Sequence, residues 1–244
     1  MRVRVSSVNM ASQVQELVLL LLHQAKSPFV AADGFLDMVD LEKSDNQVVN
    51  RKLIDYAQSS SRRGLVILDL IDRLLGLTAD SRAMVKELVR LDVVIDKAFK
   101  NNSAYQFNRV YRLPIVLADR HKLGDTIELM ARLASPAGKS TLPVEINFRI
   151  RDEYGVLKFS SPTLAAALAI IKPVYQKNIN LTAQAMNGQS DMIALGYILR
   201  HNIELMGGYV KVDAKRGQPL SLYIHLPICR QLQMSKLLEG TKVG

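Results

Sequence analysis

Residues 12–42 read SQVQELVLLLLHQAKSPFVAADGFLDMVDLE, and this stretch sets the architecture of the N-terminal third of the chain. Apolar residues recur in it at helical spacing. They are Val14, Leu17, Val18, Leu21 and Ala25, followed beyond Pro28 by Phe35, Met38 and Val39. The spacing predicts one long helix from Ser12 to Glu42, bent at Pro28.

A second helix is predicted directly after the first. The polar segment Lys43-Ser44-Asp45-Asn46 is typical of a turn, and apolar spacing resumes from Gln47 to Gly76, a natural C-terminal cap. Each helix would have about thirty residues and a length of roughly 45 Å. So long and apolar a pair would leave an apolar face in water, and we expect a second copy of the chain to cover it. The sequence therefore predicts a hairpin that dimerises into a four-helix bundle.

The rest of the chain has a mixed helix and strand pattern. The predicted elements are a helix capped by Asp92 through Phe99, a strand over Val110–Leu117, a helix capped by Asp119 through Ala134, strands over Val144–Ile150 and Gly155–Phe159, a helix from Asp191 to Gly207-Gly208, and strands over Tyr209–Val212 and Leu220–Leu226. This order indicates an α+β sandwich. We expect three regions: the hairpin over 1–80, the sandwich over 81–230 and a short tail over 231–244.

Composition and charge narrow the class of protein. The chain has 244 residues, of which 48% are apolar and 23% charged, as in soluble globular proteins. The aliphatic runs Leu17–Leu22 and Leu164–Ile171 fall short of the roughly 20 residues that span a bilayer, and we expect a cytoplasmic protein. Residues 1–80 hold 9 Lys/Arg and 10 Asp/Glu, whereas residues 81–244 hold 23 and 13. The surplus of positive charge in residues 81–244 permits nucleic-acid binding. The low aromatic content of 6% and the absence of a known nucleic-acid-binding motif disfavour it.

Histidine is the residue type whose placement is informative. The four histidines are His23, His121, His201 and His225, and none stands at metal-ligand spacing from another. The single cysteine, Cys229, excludes a cysteine-rich zinc site, so no metal site is predicted. His23 differs from the other three because it lies in mid-helix, five residues before Pro28.

Three segments resemble the sensor histidine kinases. Residues 23–36, HQAKSPFVAADGFL, resemble the H-box, in which the histidine accepts a phosphoryl group and a Ser/Thr-Pro pair follows four residues later. Residues 203–212, IELMGGYVKV, and residues 220–227, LSLYIHLP, resemble the last helix and the last strands of the ATP-binding domain of those kinases. The resemblance covers roughly residues 12–228 and implies a Bergerat (GHKL) α/β sandwich after the hairpin.

The nucleotide motifs of that family are missing, however. The asparagine-bearing helix that holds magnesium corresponds to Lys122–Ala134, where the aligned positions are Leu129 and Leu133. The Asp-x-Gly-x-Gly loop corresponds to residues 160–167, SSPTLAAA, and the phosphate-binding Gly-x-Gly falls on residues 193–195, IAL. The resemblance therefore implies a degenerate domain that uses no ATP and holds no cofactor or metal.

The residue after the histidine also departs from the kinase pattern. A carboxylate usually stands there and can take the imidazole proton, but this chain has Gln24. Phosphotransfer from a receiver domain needs only a neutral imidazole, because the receiver supplies its own magnesium and acidic cluster.

A kinase-like hairpin with a degenerate nucleotide domain resembles the dimeric histidine phosphotransferases of phosphorelays. That resemblance implies that His23 is a phosphoacceptor that passes phosphoryl groups between the aspartates of response-regulator receiver domains. The implied receiver footprint is Leu22, Lys26, Ser27 and Val30, and a hybrid histidine kinase is a further candidate partner. A basic second domain would also steer an acidic receiver toward the hairpin.

Two alternatives keep the same fold. The chain could be a pseudokinase scaffold in which His23 is never phosphorylated, or a receiver phosphatase in which Ser27 helps to place a water molecule. A basic nucleic-acid-binding regulator is the alternative of a different class.

Overall fold

The structure of the chain is a computed structural model, and it divides into two compact units. One unit comprises residues 1–81 and 180–194, and the other comprises residues 82–179 and 195–244. The residues that the structure describes are 7–39, 47–79, 85–99, 105–107, 115–134, 144–175, 189–213 and 220–228.

Two long helices form the predicted N-terminal hairpin. Helix α1 spans Ser7–Asp37 and helix α2 spans Gln47–Ala79, and the two pack along each other. All five apolar residues predicted to form a stripe before Pro28 are buried on α1. The stripe meets fully buried leucines of α2, among them Leu70 and Leu74, and each such side chain stabilises the hairpin by about 2–3 kcal/mol. The hairpin prediction is confirmed.

Three boundaries of the hairpin differ from the prediction. Helix α1 begins at Ser7, before the predicted Ser12. Helix α1 ends at Asp37, so Met38 is an exposed turn residue and does not continue the buried stripe. Helix α2 runs past Gly76 to Ala79, because a glycine inside a long helix costs only about 1 kcal/mol and does not force the helix to end. The predicted turn over residues 43–46 lies outside the described residues.

The remaining elements alternate between strands and helices. They are β1 (Glu87–Arg90), α3 (Leu91–Phe99), β2 (Tyr105–Phe107), β3 (Ile115–Ala118), α4 (Arg120–Ala134), β4 (Val144–Arg151), β5 (Tyr154–Ser160), α5 (Pro162–Tyr175), α6 (Ser190–Leu205), β6 (Tyr209–Asp213) and β7 (Ser221–Pro227).

The strands form two sheets. Five strands pair in the order β2-β4-β5-β7-β6, in which β2 is parallel to β4 and the other pairs are antiparallel. Strands β1 and β3 pair antiparallel in a separate two-stranded sheet. Burial alternates along β4, where Ile146 and Phe148 are buried and Glu145 and Arg149 are exposed, so one face of the larger sheet is covered and the other carries polar side chains.

Three local signals in the sequence act as predicted. The Asp119 carboxylate accepts hydrogen bonds from the backbone N–H of His121 and Lys122, at 3.0 and 3.1 Å, and so caps α4. Strands β4 and β5 form an antiparallel hairpin around a tight turn, in which Asp152 has a φ of 55°. Helix α6 ends in a Schellman motif, in which Gly208 N–H donates to the Ile203 carbonyl at 2.9 Å and Gly207 has a φ of 81°.

Several elements were missed or shifted. The short strands β1 and β2 and the helix α5 were not predicted. Asp92 lies within the first turn of α3 and does not precede it, and its carboxylate pairs with Arg90 at 2.6 Å, which lowers the pKa of Asp92. Strand β3 covers only the end of the predicted Val110–Leu117 strand, of which residues 110–114 lie outside the described residues. Cys229 and the tail over 231–244 also lie outside them.

No helix in the described ranges is long and apolar enough to cross a membrane.

Candidate functional site

His23 lies on the solvent-facing side of α1. Its neighbours in the buried stripe, Leu21 and Ala25, point toward α2, whereas the His23 side chain is exposed. The helical rotation of 100° per residue accounts for this difference, because residue 23 lies about 160° away from both residue 21 and residue 25. A nucleophile on this side of the helix is open to a second protein.

An open groove of about 540 Å³ runs beside His23. It is lined by Leu19, Leu22, His23, Ala25, Lys26 and Phe29 of α1 and by Leu68 of α2. Two residues of the predicted footprint, Leu22 and Lys26, therefore share this groove with the histidine. Leu22 is 43% exposed, which leaves an apolar side chain available to a partner.

The other two footprint residues lie further along the same side of α1. Ser27 is one turn after His23 and exposed, and Val30 is 71% exposed about two turns after it. Neither lines the groove. The predicted footprint is thus a continuous exposed strip, and only its first part borders the groove.

Phe29 was not among the predicted site residues, yet it lines the groove. Its ring packs against Gly64 of α2, so closely that a β-carbon at Gly64 would overlap the ring. A contact between residues 35 positions apart leaves no trace in the periodicity of either helix, which is why the sequence did not reveal it.

The residues that the sequence resemblance aligns with the nucleotide motifs lie in α4, at the start of α5 and in α6. Leu129 is 1% exposed and Leu133 is 0% exposed, so both of the leucines aligned with magnesium-binding asparagines are in the apolar core. Ser160, the last residue of β5, and Ser161, which follows it, are both buried. The Ser161 hydroxyl accepts a hydrogen bond from Leu164 N–H at 3.0 Å as the cap of α5.

The residues aligned with the phosphate-binding Gly-x-Gly motif are buried as well. Ile193, Ala194 and Leu195 are buried in α6, and a β-carbon at Gly196 would lie 3.0 Å from Cβ of Ile171. Side chains and close backbone packing therefore occupy this part of α6, where a phosphate-binding loop would need exposed backbone amides.

Helices α5 and α6 are tied together by polar contacts. The Tyr175 hydroxyl donates a hydrogen bond to the Gly196 carbonyl at 3.3 Å, and burial raises the pKa of this phenol. The Arg200 guanidinium donates to the Val174 carbonyl at 2.8 Å and pairs with Glu204 at 2.8 Å. These contacts satisfy the end of α5 and hold the two helices together.

The polar face of the larger sheet carries four cations, which we call the basic sheet face. They are Arg149 and Arg151 on β4, Lys158 on β5 and Lys211 on β6. The strand register places Lys158 beside Tyr223 and Tyr223 beside Lys211, and the Arg149 guanidinium lies 5.8 Å from the centre of the Tyr223 ring.

His225 of β7 lies on the same face of the sheet. The His225 ring stacks on Tyr209 with 4.0 Å between ring centres. Burial, together with the positive charges of Arg149, Arg151 and Lys211, lowers the pKa of His225 to about 4. The ring is therefore neutral at pH 7, and the cations around it attract negative charge.

His121 and His201 are the remaining histidines, and neither lines the groove beside His23. His121 lines a groove of about 610 Å³ between α3 and α4 that contains none of the predicted site residues. Burial lowers the pKa of His201, which lies on α6. Within the described residues, no three His, Cys, Asp or Glu side chains come together in a way that could hold a metal ion.

Comparison with known proteins identifies the fold. No protein-family model and no curated protein matches the chain. Among solved structures, the Acinetobacter baumannii histidine kinase AdeS superimposes with a TM-score of 0.54 at 13% identity, over 84% of this chain and 98% of AdeS. The histidine kinase ThkA, solved in complex with the response regulator protein TrrA, gives a TM-score of 0.61 at 11% identity, over 93% of this chain and 65% of ThkA. The chain has the histidine-kinase fold.

The order of the elements follows this histidine-kinase fold. The helical hairpin that bears His23 comes first, and the α/β part that bears the basic sheet face follows, as the sequence predicted. In this fold, Leu129, Leu133 and residues 193–195, which the sequence resemblance aligns with nucleotide-binding motifs, are buried.

Proposed function

We propose that the protein is a histidine phosphotransferase of a two-component phosphorelay, which moves phosphoryl groups between receiver-domain aspartates through His23 and does not use ATP. The observation that carries the proposal is an exposed histidine on α1 of a histidine-kinase fold, in which the residues aligned with the magnesium-binding and phosphate-binding motifs are buried.

The chemistry at His23 needs one side chain from this protein. The ring nitrogen that carries no proton attacks the phosphorus of a receiver phosphoaspartate, so a P–N bond forms as the P–O bond breaks. The aspartate leaves as a carboxylate, and the proton on the other ring nitrogen stays in place. The Mg²⁺ of the receiver offsets the charge on the phosphoryl oxygens during both transfers.

Independence from ATP is supported by the core of the α/β part. Leu129 and Leu133 have no oxygen to offer a metal ion, and moving either side chain out of the core would cost about 2–3 kcal/mol of apolar burial. Residues 193–195 are also buried, so their backbone amides are not open to a phosphate. Calorimetry with Mg-ATP should accordingly give no binding heat at tens of micromolar protein.

The partner of His23 is proposed to be an acidic receiver domain. The footprint combines apolar side chains, Leu22 and Val30, with the cation of Lys26, which complements a cluster of receiver carboxylates. ThkA, which shares the fold, was solved in complex with a response regulator protein. The basic sheet face adds long-range attraction for the same partner, because β4, β5 and β6 carry four cations against two carboxylates, Glu145 and Asp213. Two of these cations are ion-paired, Lys211 with Asp213 and Arg151 with Asp152.

The hairpin is proposed to form a homodimer. Large apolar side chains remain exposed on both helices, far more than a lone hairpin would leave in water. They include Leu19, Phe29 and Leu36 on α1 and Leu65, Val66, Leu68 and Leu75 on α2. A second hairpin would cover them in a four-helix bundle.

The test is a transfer reaction with radiolabelled phospho-receivers. The wild-type chain should take label within minutes and His23→Ala should take none, whereas a scaffold would act equally in both forms. Label released as free phosphate would favour the phosphatase alternative, since Ser27 lies exposed one turn from His23. In that case Ser27→Ala should stop the release.

A further inference from the structure

An exposed aromatic ring stands beside the cations of the basic sheet face. Strand β6 is the last strand in the order of the larger sheet, and its Tyr209 is 44% exposed. One face of the Tyr209 ring is stacked on His225 of the neighbouring strand, with 13° between the ring planes. Because β6 forms the edge of the sheet, the other face of the ring is turned away from the sheet and is open to a planar ligand.

Several of the few aromatic residues in the chain meet on this face. Tyr154 of β5 lies edge-on to Tyr209 with 5.3 Å between ring centres, and Tyr223 of β7 lies under the Arg149 guanidinium. Three of the eight tyrosines therefore share the face with His225. The aromatic content of 6% disfavours nucleic-acid binding only if the rings are dispersed, and the sheet brings these together.

Two cations of the face are available to an external anion. Arg149 and Lys158 belong to a pocket of about 220 Å³, which is lined by Asn147, Phe148, Arg149, Lys158 and Tyr223. In the described part of the chain no carboxylate is paired with Arg149 or Lys158, whereas Lys211 is paired with Asp213. The pocket therefore holds two positive charges that the protein itself does not neutralise.

The strand register arranges the cations and the open ring across the sheet. Lys211, Tyr223 and Lys158 occupy facing positions on β6, β7 and β5, so the two lysines stand about 10 Å apart. Tyr209 lies two residues before Lys211 on β6, at a distance of about 7 Å. A single-stranded nucleic acid matches this surface, because it presents repeated phosphates together with bases that can stack on a ring. A duplex keeps its bases stacked inside and offers mainly its phosphates.

We propose that the basic sheet face binds single-stranded nucleic acid, with phosphates at Arg149 and Lys158 and a base stacked on the open face of Tyr209. Binding at this face does not depend on phosphotransfer through His23, because the whole face belongs to strands β4 to β7. An acidic receiver is attracted to the same cations, so a bound strand and a receiver compete for this face.

Fluorescence anisotropy of the full chain with a labelled single-stranded oligonucleotide of about 12 nucleotides tests the proposal. We expect saturable binding that is at least about tenfold tighter than binding to the duplex of the same sequence. Polyglutamate of equal charge represents an acidic protein ligand, and it should also bind at least about tenfold more weakly than the single strand.

Substitutions separate stacking from charge. Tyr209→Leu should weaken binding about tenfold and leave its salt dependence unchanged, whereas Tyr209→Phe keeps the ring and should bind like the wild type. Arg149→Gln/Lys158→Gln should lower the slope of log affinity against log salt concentration by about 1.4, since each phosphate contact with a single strand contributes about 0.7.

Matched controls come from exposed residues of α2. Tyr56→Leu removes an exposed ring, and Arg62→Gln/Arg63→Gln removes two positive charges, outside the basic sheet face. Both should bind the single strand like the wild type. The proposal would be overturned by an absence of saturable binding, by equal affinity for the duplex or for polyglutamate, by a loss in Tyr209→Phe as large as in Tyr209→Leu, or by equal losses in the control variants.

Discussion

Restoring an asparagine at the position of Leu129 should destabilise the protein without creating a nucleotide site. Leu129 is 1% exposed, so Leu129→Asn removes about 2–3 kcal/mol of apolar burial. The new amide would lie in an apolar core without a designed partner, which adds about 1–3 kcal/mol. The expected loss in free energy of unfolding is therefore about 3–6 kcal/mol.

Urea denaturation at 25 °C measures this loss, and Glu128→Asn is the control. Glu128 is the preceding residue of α4 and is exposed, so its substitution should cost less than about 1 kcal/mol. Calorimetry with Mg-ATP should give no heat for wild type or for Leu129→Asn. A loss below about 1 kcal/mol for Leu129→Asn, together with a saturable heat for Mg-ATP, would refute the reasoning that this position belongs to the core.

Further predictions concern the sheet and the hairpin. Because the pKa of His225 is about 4 in the folded chain and 6.5 ordinarily, its contribution to stability is complete above pH 6.5 and declines by about 1–2 kcal/mol toward pH 4 after solvent screening. His225→Gln should reduce this acid-side decline in urea midpoints, and an equal decline in both proteins would contradict it. Gly208→Ala would push a β-carbon into the His225 carbonyl and should lower the free energy of unfolding by about 3 kcal/mol or more. Gly207→Ala, at a φ of 81°, should lower it by about 1 kcal/mol. Equal shifts in melting temperature for the two variants would argue against the close approach at Gly208. Light scattering should give the wild-type protein a mass of twice the 27.2 kDa of one chain. The double variant Leu19→Glu/Leu75→Glu should lower the measured mass toward that of a single chain. A monomeric wild-type protein would exclude the dimer.

Local signals allowed the sequence to predict much of the fold. Hydrophobic periodicity located α1 and α2, since a long amphipathic stripe is the strongest pattern a sequence can carry. Asp119 and the Gly207-Gly208 pair marked helix ends because their side-chain and backbone requirements are local. The resemblance to the H-box supplied His23, and the structure shows that residue exposed.

Elements that depend on distant contacts were missed. Strands β1 and β2 have only four and three residues, too short for an alternating pattern, and their pairing partners lie far along the chain. Helix α5 was missed because its first residues align with a nucleotide-binding loop of the kinases, and because Pro173 is unfavourable inside a helix. The contact of Phe29 with Gly64 and the stack of His225 on Tyr209 exist only once helices and strands are placed in register.

The central claim is that His23 carries a phosphoryl group received from a receiver aspartate, and locating the phosphorylated residue tests it most directly. After a single turnover with a ³²P-labelled phospho-receiver, the labelled chain is digested and the labelled peptide is identified. We predict alkali-stable, acid-labile label on the peptide that contains His23, and no label on the His23→Ala chain. Label on any other residue, or equal label on the His23→Ala chain, would contradict the account.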